Sequence, residues 1–460
     1  MDILLPKVPK ASIPITLLTE KEWQPWLKKQ PQRVRHLLTT QNFKAEAGRF
    51  GILVDPSGKV TRVIAGISSP PSLWDLGDFS KKLPQGVYRL DWEGPLAFRE
   101  WLALGWMLGS YRFTRYKKNA VPLAQLAVTP EFNLAKIKRY ALSLFLARDL
   151  INTPAEDMGP AELAEAVVAT GKQYGAKVTQ IVGDDLIKKN YPAIHRVGRA
   201  SPRLPRLIDL VWGDVKNPHI TLIGKGVCFD TGGLDIKSSS GMYLMKKDMG
   251  GAACVLAVAR MVMDARLPVY LRVLIPAVEN AIAGNAYRPS DVLTMRDGTT
   301  VEVGNTDAEG RLILADALAE AVQAKPAWIL DMATLTGAAR VALGPELPAL
   351  FSNNDAVANA LVTAGVDMED PLWPMPLYAP YKKILESSIA DLNSAPGNPY
   401  AGAILAALFL QHFVPASQKW VHLDLMAWNP SGLPGRPEGG EAMAVRAVYR
   451  FIEEKLASLA

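Results

Sequence analysis

The sequence predicts an α/β protein of two domains, the larger of which contains a mixed, largely parallel sheet. The chain has 460 residues, 49% of them apolar and 21% charged, which is more than one ordinary core accommodates. In its second half, short apolar segments typical of strands alternate with helical patterns, and this alternation indicates parallel strands covered by helices. The longest apolar run, near Ala401–Leu410, is shorter than the ~20 residues that span a bilayer.

The first part of the chain predicts a smaller α/β domain over residues 1–130. Its candidate elements are two strands within Ile52–Ile67, a strand at Gly86–Trp92, a helix at Leu96–Tyr111 and a strand at Leu123–Val128. A longer helix, Phe132–Leu150, should end before Pro154, because proline restricts the residue that precedes it. We therefore expect a connecting helix over residues 131–153.

The second domain is expected over residues 154–460. It begins with a helix between Pro160, which suits a first helical position, and Gly175, which suits a helix end. The later elements are strands at Leu207–Trp212, Ile220–Ile223, Val269–Ile275 and Trp328–Leu335, and helices at Gly251–Asp264 and Leu312–Ala324. In sheets of this kind, ligands bind beyond the carboxyl ends of the strands.

Charge is unevenly distributed along the chain. The net charge is +6, of which residues 1–130 contribute +9 and the remaining residues −3. A basic segment can attract nucleic acid or another anionic partner, but a solvated basic surface is the commoner explanation. The N-terminus has no cationic start followed by an apolar stretch, so we expect no signal peptide, a cytoplasmic location and no membrane association.

Cysteine and histidine usage restricts the possible metal chemistry. Cys228 and Cys254 are the only two cysteines, which excludes a disulfide framework and a cysteine-based zinc site. The five histidines show no paired ligand spacing. Any metal must therefore be held mostly by oxygen atoms.

Three glycine-rich segments carry acidic residues where strands give way to loops. They span 224–233, continuing to Lys237, then 245–251 and 305–312. Asp307 and Glu309 are two residues apart, so their side chains point the same way in an extended loop. Together with Asp230 and Asp248, they could supply bridging ligands for two divalent ions ~3.5–4 Å apart.

Each of these features also has a purely structural explanation. An aspartate at a strand end usually caps a turn or helix, and Asp-Ala-Glu before a helix can complement the helix dipole. Lys225, Lys237 and Arg311 would ordinarily be solvated charges. Spacing alone therefore does not decide between the two explanations.

The combined motifs resemble the leucyl aminopeptidase (cytosol aminopeptidase) family. Asn-Thr-Asp-Ala-Glu-Gly-Arg-Leu at 305–312, Lys-Gly-x-x-Phe-Asp-x-Gly-Gly at 225–233 and Met-Lys-x-Asp-Met-Gly-Gly at 245–251 occur in the family's order. The resemblance continues through 333–337 and 389–392. It covers the chain from Arg148 onwards and is weaker upstream, where 109–113 is its clearest part.

The resemblance implies a two-metal aminopeptidase acting on peptides. Asp230 and Glu309 would bridge the two ions, Asp307 would complete one site, and Lys225 and Asp248 would complete the other. Lys225 would have to be a neutral amine, and both burial and nearby cations lower the pKa of a lysine. Such ligands accept Zn²⁺, Mn²⁺ or Co²⁺.

The resemblance also implies roles for residues around the metals. Lys237 would stabilise the developing oxyanion, and Arg311 would hold a bicarbonate ion that transfers the proton. Met245, Thr334 and Gly337 would line the pocket for the first side chain, and the backbone at Leu335 would align the peptide. Since each buried CH₂ contributes ~0.8 kcal/mol, an apolar pocket would favour apolar residues.

The chain departs from the family pattern at several positions. Ser238 stands where a proline is common, and Glu156 ends a junction motif that usually ends in asparagine. The segment 425–428 is bulkier than in relatives, where it contributes to the specificity pocket, so a preference for leucine itself does not follow.

Assembly and alternative functions complete the expectations. Relatives have a macro-domain-like N-terminal domain and form homohexamers, so we expect an assembly role for residues 1–130. The alternatives are an additional nucleic-acid-binding role of this basic domain and a two-metal phosphoesterase. The phosphoesterase fits the carboxylates but not Lys225 as a ligand.

Overall fold

The computed structural model describes residues 3–117 and 122–457. The chain divides into two compact units, Met1–Phe145 with Ser431–Glu438, and Leu146–Pro430 with Gly439–Ala460. The division falls within a long helix, Leu134–Asn152. The outer ends of the two predicted domains, at residues 1 and 460, lie outside the described residues.

The first unit contains a six-stranded sheet with helices. Its elements are β1 (Leu4–Leu5), β2 (Ile13–Leu18), α1 (Glu20–Lys28), α2 (Gln32–Thr40), β3 (Phe50–Val54), β4 (Val60–Gly66), α3 (Phe79–Lys82), β5 (Val87–Asp91), α4 (Leu96–Gly109) and β6 (Gln125–Ala127), followed by α5, the helix Leu134–Asn152. The strand order is β1-β6-β5-β2-β4-β3, and only the pair β3–β4 is antiparallel.

Five elements of this unit were absent from the expectations, namely β1, β2, α1, α2 and α3. Strand β2 is interrupted in sequence by Pro14, yet it lies in the middle of the sheet between β4 and β5. Helix α1 begins with a capping box, in which the Glu22 carboxylate accepts from the Thr19 backbone N–H at 2.8 Å. Helix α2 follows it and buries Leu38. The first turns of α1 and α2 are mostly polar, so each helix shows only a short apolar pattern in the sequence.

The second unit is built on a larger sheet. The strands of the second unit, not all of which belong to that sheet, are β7 (Lys177–Val182), β8 (Arg206–Trp212), β9 (His219–Gly224), β10 (Gly226–Asp230), β11 (Tyr270–Asn280), β12 (Val292–Thr294), β13 (Thr300–Glu302), β14 (Trp328–Ala333), β15 (Ala349–Ser352), β16 (Trp373–Pro374), β17 (Leu392–Asn393), β18 (Trp420–Asp424), β19 (Trp428–Asn429) and β20 (Gly439–Gly440). Its helices are α6 (Pro160–Tyr174), α7 (Asp185–Lys188), α8 (Pro192–Gly198), α9 (Ser239–Met242), α10 (Gly250–Ala265), α11 (Glu309–Ala321), α12 (Gly337–Leu343), α13 (Asp355–Asp367), α14 (Gly402–His412) and α15 (Val445–Ala457).

Parallel pairing dominates the centre of the large sheet. The strand order is β16-β15-β18-β14-β9-β11-β8-β7, with β10 also paired to β11. Strands β18, β14, β9 and β11 run parallel, whereas β8 pairs antiparallel with both β11 and β7, and β15 pairs antiparallel with β18 but parallel with β16. The predicted fold class, two α/β domains with a mixed, largely parallel sheet in the larger one, is confirmed.

Small residues bring α10 very close to the central strands. A Cβ added at Gly251 would lie 2.0 Å from the carbonyl oxygen of Met332 on β14. A Cβ at Gly224 would lie 2.6 Å from the Cα of Ala252. Only glycine permits such an approach, and it places the first turn of α10 beside the carboxyl ends of β9 and β14.

The apolar run near residues 401–410 forms α14, most of which is buried in the core of the second unit. None of the helices within residues 3–117 and 122–457 combines the length and the apolar character that crossing a bilayer requires.

Candidate metal centre

The residues expected to bind metal come from loops at one end of the large sheet. Lys225 directly follows β9, and Asp230 is the last residue of β10. Asp248 lies between a short 3-10 turn and α10, while Asp307 and Glu309 lie at the start of α11. One carboxylate oxygen from each of Asp230, Asp307 and Glu309 lies within 4.8 Å of the others.

Lys225 is buried among carboxylates. Its Nζ lies 2.8 Å from Asp248 Oδ2 and 2.9 Å from Glu309 Oε1, and it donates to the Thr334 carbonyl at 3.2 Å. Burial alone would lower the pKa of Lys225, but the charges of Asp248, Glu309 and Asp230 outweigh it and raise the pKa. From the sequence we expected burial and nearby metal cations to lower the pKa of Lys225. The neighbouring carboxylates instead raise that pKa.

Lys237 occupies the other side of the cluster. Its Nζ lies 2.8 Å from Asp230 Oδ2 and also contacts Asp307 Oδ1. Burial would lower the pKa of Lys237, but the same two carboxylates raise it above its ordinary value. Two ammonium groups therefore balance part of the negative charge that the acidic residues bring together.

Asp230 is oriented by groups that the sequence analysis did not single out. Its Oδ1 accepts from the backbone N–H of Gly232 at 2.9 Å and from Asn280 Nδ2 at 2.8 Å. Asn280 Nδ2 also donates to the carbonyl of Thr306, as does the Tyr287 hydroxyl. Asn280 thus links the end of β10 to the loop that carries Asp307. No short motif marks Asn280, because its partners are distant in sequence.

Glu309 provides a buried oxygen without a protein partner. The residue is 1% exposed, and its Oε2 has no hydrogen-bond donor in the described part of the chain. Burial, followed by the charge of Asp230, raises the pKa of Glu309 above the ordinary range. A buried acceptor without a donor is costly, and a divalent cation would satisfy it. The oxygen-rich set with one amine fits the divalent ions that the resemblance implies.

Arg311 lies one residue beyond the cluster in a buried position. Its Nη1 donates to the carbonyl of Ser394 at 2.6 Å, and its Nε has no partner. Burial lowers the pKa of Arg311 to about 10, against the opposing charges of Glu309 and Asp424. No carboxylate within the described residues forms an ion pair with this guanidinium, so its free donors can accommodate a small anion.

The segment 334–337 lies next to the cluster and is held by Asp424. Asp424 Oδ1 accepts from the backbone N–H groups of Leu335 at 3.0 Å and Thr336 at 3.2 Å, and Oδ2 accepts from Thr336 Oγ1 at 2.6 Å. Thr334 Oγ1 donates to Asp248 Oδ1 at 2.7 Å. Asp424 is a positioning residue that the sequence analysis did not identify. Because the Leu335 N–H is already bonded, its carbonyl is the group left to meet a peptide.

Met245 and Gly337, the remaining pocket residues, lie on the adjoining turns. Met245 is 9% exposed and begins the 3-10 turn that precedes Asp248, while Gly337 is exposed at the start of α12. The structure thus brings every site residue expected from sequence into one region of the second unit.

The departures from the family pattern have local structural roles. Ser238 caps α9 by accepting from the Gly241 N–H at 3.2 Å. Glu156 is an exposed residue whose carboxylate lies 3.4 Å from Arg203. In the bulkier segment 425–428, Ala427 packs against Gly250, and the Trp428 ring lies 5.5 Å below the ammonium of Lys246.

Comparisons with known protein families give matches over both parts of the chain. The cytosol aminopeptidase family, catalytic domain, matches residues 145–449, and the M17 aminopeptidase N-terminal domain matches residues 13–129. A probable cytosol aminopeptidase of Syntrophotalea carbinolica is 39% identical over 372 residues, covering 77% of this chain and 74% of the relative. One of Stenotrophomonas maltophilia is 39% identical and covers 83% of this chain and 77% of its own length.

Solved structures agree with these sequence matches. The cytosol aminopeptidase from Coxiella burnetii has a TM-score of 0.95 and 50% identity, with 99% of both chains covered. The bottromycin maturation enzyme BotP, solved in complex with Mn, has a TM-score of 0.88 and 30% identity, covering 97% of this chain and 100% of BotP.

Proposed function

Since this chain belongs to the cytosol aminopeptidase family and is a metallo-aminopeptidase, we propose that it releases N-terminal residues of peptides at a two-metal centre formed by the acidic cluster. The observation that carries the proposal is the convergence of Asp230, Asp307 and Glu309 within 4.8 Å, with Glu309 Oε2 buried and unpartnered. The family assignment made from the sequence motifs is confirmed.

The five proposed ligands divide between the two ions. Asp230 and Glu309 would be shared by both, Asp307 would complete one site, and Lys225 and Asp248 would complete the other. Zn²⁺, Mn²⁺ and Co²⁺ all suit such a set, and Mn is the ion named for BotP. When bound, the ions polarise the peptide carbonyl, hold the free α-amine of the substrate and make hydroxide available at neutral pH.

Lys225 has to lose its proton to act as a ligand. Its three neighbouring carboxylates raise its pKa, but divalent charges beside the amine reverse that effect. Arginine could not replace it in this role, because guanidinium does not deprotonate in proteins.

Lys237 and Arg311 carry out different tasks. Lys237 donates hydrogen bonds to the oxygen on which negative charge develops, and its place beside Asp230 and Asp307 supports this role. Arg311 would hold bicarbonate through its unpaired donors, and the bound anion would supply a proton-transferring group beside the leaving amine.

The substrate lies along the segment held by Asp424. Thr334, Gly337 and Met245 form the pocket for the first side chain, and the backbone at Leu335 aligns the peptide. Met245 supplies an apolar wall, which favours side chains with several carbon atoms.

Assembly and location are proposed from the family resemblance. We propose a cytoplasmic homohexamer in which the first unit has an assembly role. A weak nucleic-acid-binding role of this basic unit is a secondary alternative, supported by the +9 charge of residues 1–130 and by Arg33, Arg35 and His36 exposed on α2. Each of these statements is separable from the peptidase activity.

A matched pair of peptides tests the proposed function. Metal-reconstituted protein should release the first residue of a short peptide, while the N-acetylated peptide should resist, because an amide nitrogen is a poor metal ligand. Mass spectrometry of the products, with a chelator-treated sample as control, measures both. Equal cleavage of the free and acetylated peptides would contradict the proposed binding of the α-amine.

A further inference from the structure

Two cationic side chains lie beside the proposed pocket without anionic partners. Lys247 ends the 3-10 turn that begins at Met245, is 2% exposed, and its ammonium makes no hydrogen bond or ion pair within the described part of the chain. Arg340, on α12, likewise has no ion pair or side-chain hydrogen bond among those residues. A lysine with so little exposure is not a solvated surface charge.

Their surroundings place both cations at the pocket. Arg340 Nη2 lies 3.5 Å from the position that a Cβ on Gly337 would occupy. Lys247 ends the turn that begins at Met245 and directly precedes Asp248, so its backbone lies between an expected pocket residue and a proposed metal ligand.

The nearby carboxylates are already committed to other groups. Asp248 faces Lys225 and Thr334, and both oxygens of Asp424 accept from Leu335 and Thr336. Burial of an unpaired ammonium costs free energy, and a second positive group nearby adds to that cost. The burial of Lys247 is thus not explained by an ion pair within the described part of the chain, whereas Arg340 is partly exposed in the last turn of α12.

We propose that Lys247 and Arg340 select an acidic side chain, aspartate or glutamate, in the N-terminal residue of the peptide. The inference rests on the proposed peptidase function and specifies its substrate class. The methylene groups of the side chain contact Met245, and the carboxylate pairs with the ammonium and guanidinium groups, whose hydrogen bonds to an anion are stronger than those to a neutral group. Met245 alone indicated a preference for apolar side chains. With the two cations beside it, a side chain that has methylene groups and a terminal carboxylate binds best.

Three dipeptides test the proposal with the metal-reconstituted protein: Glu-Ala, Gln-Ala and Leu-Ala. Glutamine has the shape of glutamate without its charge. We expect kcat/KM for Glu-Ala to exceed that for Gln-Ala about tenfold or more, because a site built for a charged partner rejects the analogue that lacks it. In Lys247→Met, the ratio of Glu-Ala to Leu-Ala should fall by about the same factor, and Arg340→Met should lower it as well.

Lys246→Met is the matched control. Lys246 is the adjacent lysine, but its ammonium donates to the Asn152 carbonyl at 2.7 Å and lies over Trp428. The Glu-Ala to Leu-Ala ratio should therefore be unchanged in this variant. Metal content is measured in every variant, so that loss of charge is distinguished from loss of metal.

The outcomes separate this inference from the proposed function. Equal kcat/KM for Glu-Ala and Gln-Ala, or an unchanged ratio in both Lys247→Met and Arg340→Met, would overturn the acidic preference while hydrolysis of Leu-Ala leaves the peptidase standing. Release of no residue from any of the three dipeptides by metal-loaded wild type would overturn both. If Lys247→Met does not fold, the same comparison in Arg340→Met, a change on a partly exposed helix position, decides the matter.

Discussion

The Nζ atom of Lys225 lies 2.8 Å from Oδ2 of Asp248, although β10, α9 and a 3-10 turn separate the two residues in sequence. This contact has two explanations. Lys225 is either a permanent cation that neutralises Asp248 and Glu309, or an amine that shares a metal ion with them. The two explanations differ in what a neutral side chain of similar length would do.

Lys225→Met separates them. If Lys225 is a ligand, the variant should lose about one of the two ions, because thioether sulfur is a poor ligand beside carboxylates for these metals. If Lys225 only balances charge, the unopposed carboxylates should bind cations at least as well as before. Elemental analysis after dialysis distinguishes the two, and retention of the full metal content would exclude Lys225 as a ligand.

Conservative changes at the bridging carboxylates should also remove metal. Asp230→Asn and Glu309→Gln keep the side-chain size but remove the negative charge that both ions share, so metal content and peptide hydrolysis should both fall markedly. Glu156→Gln is the control, since that carboxylate is exposed and distant in sequence from every proposed ligand. Two ions retained in both of the first variants would show that the bridge lies elsewhere.

Lys237 and Arg311 should respond differently to bicarbonate. Lys237→Ala removes a donor to the developing oxyanion, which typically costs ~10²–10³ in turnover, and bicarbonate should not restore it. Arg311→Ala should lose less and should no longer respond to bicarbonate, because buffer anions can partly replace the held ion. Steady-state kinetics across bicarbonate and metal titrations measures both. Recovery of Lys237→Ala by metal alone would indicate that Lys237 only balances charge.

Gly251→Ala should weaken both the fold and the metal centre. The added methyl group would lie 2.0 Å from the Met332 carbonyl, so α10 must move away from β14, at a cost of about 1–3 kcal/mol. Because Asp248 precedes α10, metal content should fall as well. Gly284→Ala, where no atom lies within 4 Å of the new methyl, should leave stability within about 1 kcal/mol of wild type. Urea unfolding of the three proteins makes the comparison.

Nucleic-acid binding by the first unit should be weak and salt-sensitive. Arg33, Arg35 and His36 are exposed on α2, but a few cations on one short helix supply only a general attraction for phosphates. A gel-shift titration at low and at physiological salt should show binding only at low salt. Tight, sequence-selective binding at physiological salt would instead make this unit a genuine DNA-binding domain.

The sequence was sufficient to predict the helices and strands whose apolar pattern is long and periodic. Helix α10 and strands β9 and β14 were predicted almost to the residue, because small or apolar residues make up most of each. Strand β2 was missed because Pro14 breaks its pattern, although pairing on both sides holds it in the sheet. Tertiary context, which no local pattern reports, decides such cases.

The same distinction applies to the candidate site. Acidic residues in short motifs were found from the sequence, since their neighbours in the chain carry the signal. Asn280, Asp424 and Lys247 were not, because each acts through groups that are brought close only by folding. Lys247 lies inside the motif Met-Lys-x-Asp-Met-Gly-Gly at 245–251, at its variable position. A lysine next to another lysine is ordinarily a surface charge.

The proposed ligands are dispersed over β10, the turn before α10 and the start of α11, and the partners that orient them extend to Asp424 near the end of the chain. A ribosome must therefore release most of the polypeptide before any of it can cut a peptide bond. A chain that is truncated or unfolded loses its hydrolytic capacity together with its shape. The scattered origin of the centre thus ties its formation to the folding of the second unit.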